Sequence, residues 1–302
     1  MSGSSLDKSA GAFGSNGVVR AVIYLLLVLA AAGFLLPLVG MVLTSLKTMP
    51  EILGLAPFEG SHLLSLPKSP SVEAWITAWS SACIAVACDG LKPYFMNSIG
   101  MASVAVVISV SVGAVNGYAL TKWRFKYDNF IFALFLFGCF IPFQIVLIPT
   151  ARILGWMGLA GSMPGLISVH VVYGIVFTTM FFRNFYVSVP DEIVKAARID
   201  GAGFWTTFRL VLLPISTPII VVAVIWQFTS IWNDFLFGAS FSGSDSRPLM
   251  VALNNLVNTS TGTKAYNVDM AAAMIAALPT MLVYVLAGKY FVRGLMAGAV
   301  KG

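Results

Sequence analysis

The stretch VPDEIVKAARIDGAG, Val189–Gly203, carries Asp191, Glu192, Lys195, Arg198 and Asp200 within ten residues. Charges at this spacing can move protons or hold another charged surface. Proton or group transfer needs a nucleophile beside a base, or a metal constellation, and the sequence offers neither. No His/Cys/carboxylate set has zinc-like spacing, and lone His170 reads as a packed or hydrogen-bonded side chain. No G-x-x-x-x-G-K-[ST] phosphate loop occurs anywhere. What remains is contact: Asp191 and Lys195 stand four apart and can pair along a helix, while Ala196–Ala197 keeps one face shallow. A second set of polar groups interrupts apolar runs: Asn97, Asn116, Gln144, His170, Gln227, Asn233 and Asp234.

The elements that must position these groups follow from composition. Only 10% of the residues are charged and 58% are hydrophobic, and the mean hydropathy is +0.89. A soluble domain is about a quarter charged, so the chain reads as an all-α membrane protein. A membrane helix takes about 20 mostly apolar residues. Six stretches qualify: Val19–Leu46, Tyr94–Leu120, Asn129–Ile153, Met163–Tyr186, Leu210–Phe237 and Met270–Val292. Pro37, Pro142, Pro149, Pro214, Pro218 and Pro279 fall inside them and read as kinks or helix ends. Residues 1–17 read as a disordered tail and 18–302 as one transmembrane domain. The net charge of +6 orients loops and does not imply nucleic acid.

With the N-terminus inside, Lys8, Arg20, Lys122, Arg124, Lys126, Arg183, Lys195, Arg198, Arg209, Lys289, Arg293 and Lys301 fall inside. The smaller set, Lys47, Lys68, Lys92, Arg152, Arg247 and Lys264, falls outside. The bias puts both termini in the cytoplasm, with the loop KWRFKYD the strongest vote. Two long connections, Lys47–Pro93 and Gly238–Asp269, then lie outside, the second carrying Asn254, Asn255, Asn258, Thr259, Ser260 and Thr261. Three cysteines are too few for a disulfide scaffold. Cys83 and Cys88 share the first outer loop and are expected to stay unpaired, and Cys139 reads as a packing residue. The charged stretch falls inside, between spans four and five, in a loop over residues 188–209. Ser188 suits an N-cap, Pro190 the first turn and Gly201 a left-handed stop. From its residues alone, this short helix fits a seat on lipid headgroups or a dock against a protein.

The longer stretch VPDEIVKAARIDGAGFWTTFRLVLLPISTP resembles the cytoplasmic EAA loop of ABC importer permeases, with Ala196, Ala197, Asp200, Gly201, Ala202, Phe208, Leu213 and Pro214 on the motif. NSIGMAS at Asn97, GYAL at Gly117, IPFQIVLIPT at Ile141, WNDFLF at Trp232, RPL at Arg247, ALPTM and the tail FVRGLMAGAVKG are similar to the permeases for maltose and other sugars, glucose/mannose importers among them. Lys195 departs from the pattern, standing where the family has the first Glu of EAA, with Glu192 a turn earlier.

The resemblance implies a permease subunit of an ATP-driven sugar importer in the bacterial inner membrane. It implies six spans and a coupling helix between spans four and five. Glu192, Lys195, Ala196, Ala197, Asp200, Gly201 and Ala202 would meet the ATPase. The implied partners are a second permease, most simply as a heterodimer, two ATPase subunits that hold ATP and magnesium, and a periplasmic or lipid-anchored sugar-binding protein. No cofactor is expected on this chain, and it is not expected to be an enzyme. Gln227, Trp232, Asn233, Asn97 and Gln144 suit sugar hydroxyls and ring faces along the path, although membrane amides more often bond between helices. A permease for another solute, or an ion-driven secondary transporter, are the competing readings. The second favours buried ionisable pairs near the midplane, and Asp234 is the only acid in any predicted span.

Overall fold

The computed structural model describes residues 17–62, 64–258 and 264–299, with residues 18 and 289–299 as backbone alone. The predicted tail therefore lies outside the described residues apart from Gly17, as do Thr259, Ser260 and Thr261. Among the described residues there are helices and two isolated bridges, but no strand. The helices are α1 Gly17–Ser45, α2 Met49–Ile52, α3 Glu73–Ser80, α4 Lys92–Ala119, α5 Asp128–Phe140, α6 Phe143–Trp156, α7 Met163–Ser188, α8 Asp191–Ile199, α9 Phe204–Thr207, α10 Leu213–Ile215, α11 Thr217–Trp232, α12 Leu236–Phe241, α13 Leu249–Val257 and α14 Tyr266–Ala299. A π-helical turn, Phe208–Leu212, joins α9 to α10.

Among the described residues, four helices are long and apolar enough to cross a membrane: Val19–Ser45, Lys92–Ala119, Met163–Ser188 and Tyr266–Gly288. Two further candidates are bent pairs rather than straight spans. The predicted third span breaks into α5 and α6, which meet at 103°. Pro142 supplies no amide, and Ile141 before it is held extended (φ −69°, ψ 121°), as a residue preceding proline prefers. The predicted fifth span starts earlier, at Phe204, and bends by 80° between Ile215 and Thr217. Pro214 and Pro218 flank this bend, and the π turn precedes it. Buried Ser216 anchors the corner, with its Oγ 2.6 Å from the Leu212 carbonyl and 3.0 Å from Tyr186 Oη. Pro37, Pro149 and Pro279 instead sit within continuous helices.

The chain forms two compact units. The first comprises the described residues up to 75 together with 265–271. In it Lys47 is buried and donates to the His62 carbonyl (2.7 Å) and Ser65 Oγ (3.0 Å), while Trp75 Nε1 donates to Ser45 Oγ (3.1 Å).

The second unit, the described residues among 76–264 and from 272 onward, holds the main core. Its spine is α4 lying along α7, with α11 against both. The α4 face is small where it meets α7: Ala102, Ala105, Ser109, Gly113, Ala114 and Gly117 are buried. A Cβ on Gly113 would stand 2.6 Å from Thr178 Cβ, and one on Gly117 2.6 Å from Phe182 Cβ. This is close small-residue packing of the kind that associates membrane helices without a hydrophobic drive. Thr178 Oγ1 donates to the Ser109 carbonyl (2.8 Å) across the seam. Two expectations for the loops change. Cys83 and Cys88 are joined in a disulfide. The connection after residue 237 is largely helical, because Leu249, Val251 and Ala252 give α13 a buried apolar face.

Candidate functional site

The charged stretch forms α8, a nine-residue helix between α7 and α9. Its cap differs from the expectation: α7 continues through Ser188, whose Oγ donates back to the Phe185 carbonyl (2.7 Å), and Pro190 precedes the first turn of α8. Asp191 and Glu192 lie at its positive end and Arg198 at its negative end. The far end is closed by Ala202 N donating to the Ala197 carbonyl (2.9 Å) and Gly201 N to that of Arg198 (3.0 Å). Gly201 takes φ +82° there, in the left-handed region that favours glycine.

One face of α8 is tied down. Val194 is buried in the core cluster. Asp191 pairs with Lys122 of the loop after α4, rather than with Lys195 as the spacing suggests. Lys122 is fixed by a second bond, to the Val189 carbonyl at 2.6 Å. That neighbour holds the Asp191 carboxyl below the usual carboxylate range, first through its hydrogen bond and then through its charge. Arg198 donates to the Lys122 carbonyl (2.8 Å), and its guanidinium lies 4.3 Å from the centre of the Trp123 ring. Beneath this elbow Tyr118, Trp123 and Phe204 pack edge and face, with Tyr118 and Phe204 at 4.7 Å and Trp123 and Phe204 at 5.4 Å between ring centres.

The other face is open. Glu192, Lys195, Ala196, Asp200 and Gly201 are exposed, while Ala197 and Ala202 are half-buried. Ile199, 86% exposed, and Ile193, 41% exposed, add apolar surface among these charges. The arrangement is a rigid peg with a shallow, mixed surface. Lys122 and Trp123 were not singled out from sequence. Their sequence signal is the KWR cluster, whose charge speaks to topology and not to a contact with α8.

The second feature is a cavity of about 330 Å³ in the α7–α11 region, lined by Phe143, His170, Tyr173, Gly174, Phe177, Trp226, Gln227, Ser230, Ile231, Asp234 and Phe237. Of the five predicted path residues it takes in Gln227, whose Nε2 donates to the His170 carbonyl at 3.3 Å. The other four lie elsewhere. Trp232 is buried and donates to the Ala276 carbonyl (2.9 Å). Asn233 caps α11 by donating to the Thr229 carbonyl (3.0 Å). Asn97 ties the start of α4 to the Asp245 and Arg247 carbonyls, 3.0 Å each. Gln144 is exposed on α6. The aromatic wall formed by Tyr173, Phe177 and Trp226 was missed. The Tyr173/Phe177 spacing of four was its one visible trace, and pairing with Trp226 needs two helices placed side by side.

Residues 105–296 match the family model described as the binding-protein-dependent transport system inner membrane component. Among similar proteins, the xylose/arabinose import permease protein XacI of Haloferax volcanii is 32% identical over 300 residues, covering 93% of each chain. A probable ABC transporter permease protein of Pyrococcus horikoshii is 43% identical over 188 residues, 62% of this chain and 68% of that one. The multiple sugar-binding transport system permease protein MsmG of Streptococcus mutans is 28% identical over 281 residues, 92% of this chain and 96% of that one. In fold, the chain is similar to a chain from the crystal structure of a bacterial ABC transporter that imports the acidic polysaccharide alginate. That likeness has a TM-score of 0.75 at 20% identity and covers 95% of this chain and all of the other. The family match over most of the chain, with relatives matched nearly end to end, makes this protein a member of the binding-protein-dependent ABC transporter permeases, an inner-membrane transport component and not an enzyme.

Proposed function

We propose that the chain is one half of the membrane path of an ATP-driven sugar importer, and that α8 is its coupling helix. The α8 geometry carries the coupling reading: a peg clamped on one side by Lys122, Val194 and Arg198, with a charged and apolar face left open. The similar permeases for xylose/arabinose and for multiple sugars support the substrate class.

In this reading the two bent pairs each count as one crossing, giving six spans with both termini in the cytoplasm. Two separate ATPase subunits hold ATP and magnesium and supply the energy. Glu192, Lys195, Ala196 and Asp200 meet the ATPase surface, and Gly201 with Ala197 and Ala202 sets the angle of the peg. Lys195, in place of the motif glutamate, presents a cation to that surface, one turn from Glu192. Because α8 joins α7 directly to α9, a push on the peg moves α7 and α11 as packed rigid bodies, and no chemistry in this chain is required. A second, non-identical permease completes the path, and a sugar-binding protein delivers substrate at the outer face. Gln227 borders the path through the cavity, Asn97, Trp232 and Asn233 support the helices around it through bonds to backbone carbonyls, and exposed Gln144 on α6 remains a candidate path residue.

Native mass spectrometry of the complex, gently extracted from its own membrane, tests the assembly. Recovery with a second permease and two ATPase chains is the expected result. A homo-oligomer without any nucleotide-binding partner, under conditions that preserve known importers, would point to a gradient-driven carrier instead.

A further inference from the structure

The cavity holds one polar side chain whose partner is missing. His170 is only 5% exposed, and its Nε2 makes no hydrogen bond among the described residues. Facing it at 3.7 Å is Asp234 Oδ2. That separation is too long for a direct hydrogen bond and short enough for one oxygen atom to touch both. A buried ring nitrogen left unsatisfied is destabilising, so its persistence points to a ligand.

Both groups are held in place. Asp234 accepts from Phe237 N (3.3 Å) and Gly238 N (3.0 Å), at the start of α12. The His170 backbone carbonyl accepts from Gln227, and the His170 ring packs edge-on against Phe237, 5.7 Å between centres. Around them stands an aromatic wall: Phe177 and Trp226 at 4.7 Å and Tyr173 and Phe237 at 4.9 Å between centres. No third His, Cys, Asp or Glu joins the pair into a metal-holding group among the described residues.

We propose that His170 and Asp234 bind one hydroxyl of a sugar ring inside this chain's own cavity, with Trp226, Tyr173 and Phe177 supplying the apolar faces. The inference rests on the sugar-importer reading. A hydroxyl donates once and accepts as well, so it can donate to Asp234 Oδ2 while accepting from His170 Nε2–H. An ammonium group has donors only and leaves the imidazole N–H unused. Aromatic faces suit the apolar C–H face of the ring, and about 330 Å³ lies at the small end of ligand pockets. The subsite therefore fits a neutral monosaccharide unit.

The test is equilibrium dialysis of labelled D-glucose, D-xylose and maltose against the purified transporter complex in nanodiscs, with the binding protein omitted. ATP-driven uptake of the same sugars is measured in parallel, with the binding protein present. The wild-type complex is expected to bind at least one of them. His170→Phe, which keeps an aromatic ring, should weaken that binding about tenfold, the scale of one buried hydrogen bond lost. In the series of singly deoxygenated analogues, one analogue should bind the wild type less well yet bind His170→Phe as well as the parent sugar does. Should His170→Phe fail to assemble, Asp234→Asn, which keeps an acceptor for the α12 amides, should weaken binding several-fold.

Wild-type uptake with no binding in dialysis, or with unchanged affinity in the variants, overturns the subsite alone. Absence of ATP-driven uptake of all three sugars by the wild type overturns the sugar reading, and the subsite with it. Displacement by methylammonium, which has N–H donors and no hydroxyl, as effective as by sugar assigns the cavity to a cation and overturns the proposal.

Discussion

At the residue scale the position of α8 depends on Lys122, a cation that reaches from another loop to both Asp191 and the Val189 carbonyl. The carbonyl bond alone is worth about 1 kcal/mol. Lys122→Met should therefore let the amides of Asp191–Ile199 exchange about five times faster in the assembled complex, read by hydrogen-exchange mass spectrometry. Exchange no faster than wild type would show that Val194 and Arg198 suffice. The pH dependence has a definite sign. The folded pKa of Asp191 is depressed by Lys122, so its contribution is present above the unfolded value near pH 4 and is lost as pH falls through the lower folded value. After correction for intrinsic exchange, protection of α8 should be flat from about pH 5 to 8 and fall only below about pH 4. Lys122→Met should remove that fall. The i,i+4 pattern suggested Lys195 as the partner of Asp191. Sequence spacing reports only neighbours on one helix, whereas Lys122 lies 69 positions away.

At the element scale two glycines of α4 let it lie against α7. Leucine at Gly117 would drive a side chain into Phe182 Cβ at 2.6 Å and the Arg183 amide nitrogen at 2.7 Å, both parts of a packed helix that cannot step aside. Overpacking of this kind costs about 1–3 kcal/mol. Gly117→Leu is therefore expected to lower the melting temperature of the detergent-solubilised complex or prevent its assembly. Gly100→Leu, where a Cβ meets nothing within 4 Å, is expected to do neither. Equal stability of the two would argue against the close α4–α7 contact. Gly201 is the opposite case. A Cβ there also meets nothing, and the positive φ is the whole constraint. Gly201→Asn should retain more ATP-driven uptake than Gly201→Val, since Asn tolerates the left-handed region and a β-branched residue does not. The long helices, α8 and its glycine stop were legible because each follows from a local pattern. The breaks were only half legible: six prolines looked alike in sequence, and which of them ends a helix depends on whether neighbouring groups re-satisfy the backbone. The glycine pair in GAVNG was in plain view, but its use required knowing that α7 brings Thr178 and Phe182 to it.

At the scale of the molecule, the contacts sort the loops of the second unit into two ends without reference to charge. Lys122 bonded to Asp191 puts the KWRFKYD loop and α8 at one end of α4 and α7. At the opposite end of α4, Asn97 bonds the Asp245 and Arg247 carbonyls, and Ser98 Oγ accepts from Leu249 N at 2.8 Å. The cationic residues Lys122, Arg124, Lys126, Arg198 and Arg209 cluster at the first end, so the positive-inside rule and the fold agree about which loops share a side. In the proposed orientation, charge assigns the first end to the cytoplasm. With Cys83, Cys88 and Cys139 replaced by Ser, Lys126→Cys and Trp205→Cys should react with a membrane-impermeant maleimide only after permeabilisation. Trp205 and Lys126 are both exposed, so access is not limited by packing. Ser244→Cys, exposed between α12 and α13, should react in intact cells. Labelling of Lys126→Cys from outside would place α8 away from any cytoplasmic ATPase and end the coupling-helix reading. Labelling of all three from one side would show that α4 does not cross the membrane.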